Sequence, residues 1–208
     1  MALSFKAKKR LIIGSFATVA AGWSGATALI PVAGPLLADT AGLTVLTTAM
    51  AYSLSILYNK HVSIATLAAF STVAISAVLG QLALKAGASL IPVWGSYFNA
   101  TVTFILHAAT GWALCEIFET GKDIDTITVA EMKALIAKNK SKAEDEKKRF
   151  DRAMDQLPVN DRSEIRKLMK QMKNKELSAS EQTSEQTEIM NRIISVFEKN
   201  GIDSPFEE

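Results

Sequence analysis

Between Leu11 and Phe118 the chain is an almost unbroken run of apolar and small residues, and after Glu119 apolar and charged positions alternate at helical spacing. In the first part four stretches reach the roughly 20 residues that an α-helix needs to cross a bilayer core: 11–30, 36–58, 62–84 and 96–118. The run VSIATLAAFSTVAISAVLGQLAL (62–84) lacks the charged face of an amphipathic surface helix. The second part predicts three helices. One covers 127–157, opened by Thr128 and Glu131 at capping-box spacing and stopped by Pro158. A second covers 160–174 with Ile165, Leu168, Met169 and Met172 on one face, and a third lies near 181–199, ended by Asn200-Gly201. The expected fold is all-α: an integral membrane bundle over 11–118 followed by a small charged helical domain over 119–208.

The apolar part repeats itself. Leu29-Ile30-Pro31-Val32-x-Gly34 returns as Leu90-Ile91-Pro92-Val93-x-Gly95, sixty-one positions later, and Thr40 returns as Thr101. Proline lacks an amide donor and disfavours helix in the residue before it, and glycine allows the backbone of a tight reversal. Pro31, Gly34, Pro92 and Gly95 are therefore expected to be turn residues within two helix-turn-helix hairpins, 11–58 and 62–118. Two spans per copy put both turns on the same side of a membrane; re-entrant hairpins are the alternative. Ala17, Ala21 and Gly25, and likewise Ala38 and Gly42, recur every four positions. That spacing suits close helix contact in lipid and implies a tight bundle or a homo-oligomer.

Charge adds an orientation. Residues 1–118 carry a net charge of about +4, and 119–208 carry 17 Lys/Arg against 19 Asp/Glu. No basic stripe of the kind that tracks nucleic acid dominates the polar part. Lys6, Lys8, Lys9 and Arg10 precede the first span, and Lys60 lies in the link between the copies. The excess of cations on cytoplasmic loops then places residues 1–10, that link and the tail inside, with the two turns and Lys85 outside. A bacterial inner-membrane location with both termini cytoplasmic follows, membrane lipid being the first partner. Two alternatives compete: a cleaved signal peptide ending near Ala26-Thr27-Ala28, and a water-soluble bundle hiding an apolar hairpin.

Candidate chemistry is sparse. Cys115 is the single cysteine, and His61 and His107 lack ligand spacing, so no metal or other cofactor is expected. No phosphate-binding glycine loop, nucleophile elbow or zinc helix occurs, and no enzyme is expected. Ionisable or strongly polar groups at membrane depth are the remaining candidates. These are His107, Asp39 and Asn99, with Asp39 equally suited to capping its helix. In the tail, the Ile165, Leu168, Met169 and Met172 stripe fits either an internal core or a partner helix.

The stretch LIPVAGPLLADTAGLTVLTTAMAYSLSILYNKHVS, followed by an Ala-rich span and LIPVWGSYFNATVTFILHAATGWAL, resembles the YcjF-type membrane-associated domain over roughly residues 20–120. Domains of that family are also found fused behind Ras/Era-like GTPases in bacteria. The resemblance implies a non-enzymatic membrane module that anchors or scaffolds a cytoplasmic partner, such as a GTPase acting in trans; it supplies no catalytic residues. The chain itself has no GTPase domain, and its tail has no counterpart in that pattern. The competing expectation is a pore or channel-like protein that inserts from a soluble form, with His107 and Asn99 along a polar path.

Overall fold

Where the apolar run meets Pro35, Asn59, Pro92 and Gly121 the chain breaks into helices. The structure, a computed structural model, describes residues 2–27, 35–83, 92–173 and 178–207; side chains at 23–27, 35–39, 78–83, 92–99, 204 and 207 are not described. Among the described residues there are helices α1 (Phe5–Thr27), α2 (Pro35–Leu57), α3 (Ile64–Ala83), α4 (Pro92–Thr120), α5 (Val129–Gln156), α6 (Val159–Gln171), α7 (Ala179–Asn200) and the short α8 (Ser204–Glu207). A 3-10 turn at Ile124–Thr126 joins α4 to α5, and no strand occurs among the described residues.

Local chemistry sets most of the ends. Asn59 takes the left-handed backbone (φ 53°) that closes α2, and the Ser63 hydroxyl accepts the Thr66 N–H to open α3. Thr128 with Glu131 and Ser178 with Glu181 both form complete capping boxes, opening α5 and α7. Leu157 stays extended before Pro158, which separates α5 from α6, and Gly201 at φ 63° ends α7. Pro92 is the first residue of α4, a position where its missing amide goes unused, so Gly95 lies inside the helix and not in a turn. Pro31, Gly34 and Lys85 lie outside the described residues.

Among the described residues α1 and α2 pack together, α3 lies mainly on α2 and α4 mainly on α1, with slight α3–α4 contact. α5 turns back along α4 and reaches α3 and α1, α7 covers α2, and α6 rests on α7. One cluster of buried apolar side chains runs from Leu3 and Leu11 through Leu54, Leu114 and Ile136 to Ile193 and Phe206. Among the described residues two helical stretches are long and apolar enough to cross a membrane, Thr40–Leu57 and Ala100–Thr120; Ile64–Ala77 is a shorter apolar segment. Four spans are thus not found there. The first is 56% buried inside the bundle and the second 78%, because α1 and α3 as well as the charged tail helices α5 and α7 cover them.

Candidate functional site

Lys8, Lys9 and Arg10 do not precede α1; they form its second turn. Successive residues of an α-helix point about 100° apart, so three neighbouring cations face three directions, and each meets a carboxylate from a different helix. Lys8 Nζ is 2.9 Å from Glu198 on α7, Lys9 Nζ is 2.9 Å from Glu119 at the end of α4, and Arg10 Nη1 is 3.1 Å from Glu146 on α5. Tyr58 adds to the second pair, donating its hydroxyl to Glu119 and accepting from Lys9 Nζ at 3.2 Å. One turn of the first apolar helix therefore ties down both long tail helices and the end of α4.

α5 supplies the longest seam. Its buried residues are Met132, Ile136, Asn139, Ala143, Glu146, Phe150 and Ala153, spaced alternately four and three apart, as for a helix laid along another in coiled-coil fashion. Along the seam Lys138 Nζ (2.6 Å) and Asn139 Nδ2 (3.2 Å) reach the two oxygens of Glu116. Lys142 Nζ stands 3.5 Å over the Trp112 ring, and Lys147 Nζ is 5.9 Å from the Phe104 ring centre. Rising numbers on α5 meet falling numbers on α4, so the two helices run antiparallel. Lys9 and Arg10 also face Trp112, at 5.3 and 5.5 Å from the ring centre; each such contact stabilises by about 0.5–2 kcal/mol. Beside Glu146, the Phe150 ring fills the space a Cβ on Gly14 would occupy, its Cδ2 only 2.6 Å from that position. α1 and α5 approach so closely because residue 14 has no side chain.

The Arg10–Glu146 pair is the most deeply buried charge contact of the site. Glu146 is 0% and Arg10 9% exposed. Neither group is fully bonded: Glu146 Oε1, Arg10 Nε and the Trp112 indole N–H lack a hydrogen bond of normal geometry. The indole nonetheless lies near enough to favour the charged carboxylate, as do Arg10, Arg149 and Lys142. Burial outweighs all of them and pushes the Glu146 carboxyl up to about 7. Burial, with Lys9 beside it, also holds the Lys142 ammonium below its usual range. A buried pair of this kind contributes little net stability while intact, and losing one partner costs roughly 3–5 kcal/mol because the other charge is stranded.

The residues singled out from the sequence are scattered. His107 is 3% exposed on α4 with its Nε2 unbonded, and the nearby Thr110 hydroxyl bonds the Leu106 carbonyl of its own helix. Asp39 falls inside α2 and not at its cap, and Asn99 falls inside α4; their side chains lie outside the described ones. Ile165, Leu168, Met169 and Met172 are all buried, packed inward and offering no open stripe. The meeting of Arg10, Glu146 and Trp112 emerges from the structure, as does the close packing at Gly111, where a Cβ would stand 2.9 Å from Ile13 Cγ1 and 3.1 Å from Met50 Sδ. A cleft of about 630 Å³ between α6 and α7 is lined by Lys170, Lys173, Glu185, Glu188, Arg192 and their neighbours, and by none of the residues expected to act. Among the described residues no three His, Cys, Asp or Glu side chains are grouped as metal ligands.

No family model, curated protein or solved structure matches the chain.

Proposed function

We propose that this chain is a non-enzymatic membrane protein with two mutually exclusive arrangements. In the sheathed arrangement α5 and α7 cover the apolar helices. In the inserted one α2 and α4 enter a bilayer, read from the sequence as a bacterial plasma membrane, after α7 has left α2 and α5 has left α4.

The observation that carries this reading is the position of the cations along Ala100–Thr120. Trp112 lies eight residues before Thr120, roughly 12 Å along the helix. Lys9, Arg10 and Lys142 all face it, and exposed Glu144, Asp145 and Lys148 are on the same stretch of α5. If α4 crossed a bilayer with these neighbours in place, several charges would lie within hydrocarbon, each costing at least about 2.5–3.5 kcal/mol at the centre. Moving α5 away, with the basic turn of α1 shifting to the interface, removes that cost.

The anchor and pore expectations become two outcomes of the same release. Freed tail helices would uncover Ile165, Leu168, Met169 and Met172 for a protein partner, whereas a polar path through the inserted helices would conduct. Full-length protein incubated with lipid vesicles tests the common step. The expected result is flotation with the vesicles, resistance to carbonate extraction, and protease cleavage within α5 while α2 and α4 stay protected. Protein that stays unbound, or that binds with α5 still protected and washes off in carbonate, would overturn the reading. Release of an entrapped dye then separates pore from anchor.

A further inference from the structure

We propose that Glu146 is the trigger of the sheath: its ionised form, half-bonded in a dry contact among α1, α4 and α5, loosens α5, and its neutral form closes it. The latch itself stands on the contact geometry; its role in membrane entry rests on the reading above.

Three observations carry it. Glu146 occupies a core position of the α5 seam with no solvent exposure, and its Oε1 has no hydrogen bond of normal geometry, with the Trp112 indole near it. Its one ion-pair contact among the described residues, Arg10, is itself buried with Nε unbonded. The next seam residue, Phe150, packs on Gly14 in space that a Cβ there would fill, so α5 and α1 lie in close contact one turn beyond Glu146. The charged surroundings are one-sided. α1 presents Arg10 and Lys9; α4 presents Trp112 and, further along, Glu116 and Glu119, which are engaged by Lys138 and Asn139 and by Lys9 and Tyr58; α5 itself adds Lys142 and Arg149. α3 has no ionisable residue, and the described side chains of α8, Pro205 and Phe206, carry no charge.

The direction follows from the sign of the shift. Burial raises the closed-state carboxyl from its ordinary 4.5 to about 7. A carboxyl raised on closing binds its proton more tightly in the closed form, so the stability it contributes is full at low pH and is lost as pH rises through about 7. Acid therefore closes this latch and neutral-to-alkaline pH loosens it. The relaxed value of 4.5 and the closed value of about 7 predict an opening equilibrium roughly tenfold larger at about pH 8 than at about pH 6. Lys142, whose ammonium is held below its usual range, works in the opposite sense at more alkaline pH.

The test is hydrogen exchange of the α5 amides in the full chain across that window, corrected for intrinsic exchange. Wild type should open about tenfold more at the upper end, Glu146→Gln should show no such dependence, and Arg10→Gln should move the midpoint upward by removing the cation that favours ionisation. A pH-independent wild type, a Glu146→Gln variant that keeps the dependence, or an unmoved midpoint in Arg10→Gln would each overturn the proposal. Flotation with phosphatidylcholine–phosphatidylglycerol vesicles, run on the same samples, separates the two readings. Opening that follows Glu146 without vesicle entry sinks the membrane reading alone, and entry that ignores pH and the variants sinks the trigger alone.

Discussion

Two tail helices cover the apolar core, and they are held by different means. α5 meets α4 and α1 through directed contacts: Glu116 with Lys138 and Asn139, Lys142 over Trp112, and Arg10 with Glu146. α7 lies on α2, and the buried hydroxyls of Thr47 and Thr48 on α2 and of Thr183 and Thr187 on α7 each bond a carbonyl one turn back on their own helix. The Thr40–Leu57 part of α2 carries no Lys, Arg, Asp or Glu, so it brings no such charge to that seam. α7's charged tie to α1 is at its far end, where Lys8 bonds Glu198. Charge thus makes the α5 seam specific in register and sensitive to conditions, and shape makes the α7 seam the steadier of the two.

The largest effect should come from removing the wedge of the α5 seam. Phe150→Ala leaves a cavity against Gly14 and should destabilise the chain by about 3–5 kcal/mol in urea unfolding, with exchange rising first in α5. If α7 opens as readily as α5 in that variant, the distinction between the seams is lost. Next comes Arg10→Met, which strands Glu146. A loss of about 3 kcal/mol is expected near pH 8; near pH 6 a protonated Glu146 needs no counter-ion, and the loss should shrink. Equal losses at both pH values would contradict the account of this pair.

A pH series sharpens the contrast further. Glu198 is held below the usual carboxylate range, first by its hydrogen bond with Lys8. Its stability contribution is therefore present above its ordinary 4.5 and lost as pH falls through its lower folded value. Glu146 has the opposite shift and loses its contribution as pH rises through about 7. Exchange should consequently loosen α5 toward alkaline pH and the end of α7 toward acid, with the bundle tightest in between; a single pH trend shared by both helices would merge the two seams. The smallest effects should come from the helix starts. Thr128→Ala and Ser178→Ala each remove a capping box and should cost about 1 kcal/mol apiece by thermal unfolding. Similar values would place the difference between the helices in their seams and not in their caps.

Much of this was legible in the sequence at the level of elements. The Thr128–Glu131 spacing marks the start of α5, Pro158 its end, and Asn200-Gly201 the end of α7, because each is a local backbone requirement met by local residues. What stayed hidden is how the elements meet. Hydropathy reads a span from composition alone, so Ala100–Thr120 looks the same under lipid or under α5. Lys8, Lys9 and Arg10 fit the cytoplasmic flank of a span, and nothing local reveals that they face Glu198, Glu119 and Glu146, far along the chain. One signal was available. Met132, Ile136, Ala143, Phe150 and Ala153 keep a four-three spacing whose missing members are Asn139 and Glu146. A charged residue at a seam position of an otherwise apolar pattern points to a buried partner on another helix. The doubled Leu-Ile-Pro-Val motif was less informative: Pro92 starts α4, and the residues around Pro31 lie outside the described part.

Under the proposed function, α4 does not enter a bilayer while α5 lies along it. The most direct test joins the two helices through a Glu116→Cys, Asn139→Cys pair in a Cys115→Ala background, bridged by a bifunctional maleimide with a reducible spacer at the point where the native side chains meet at 3.2 Å. The cross-linked protein should stay folded and fail to become carbonate-resistant on vesicles, and reduction of the spacer should restore entry. Cross-linked and cleaved protein entering the membrane equally well would contradict the account.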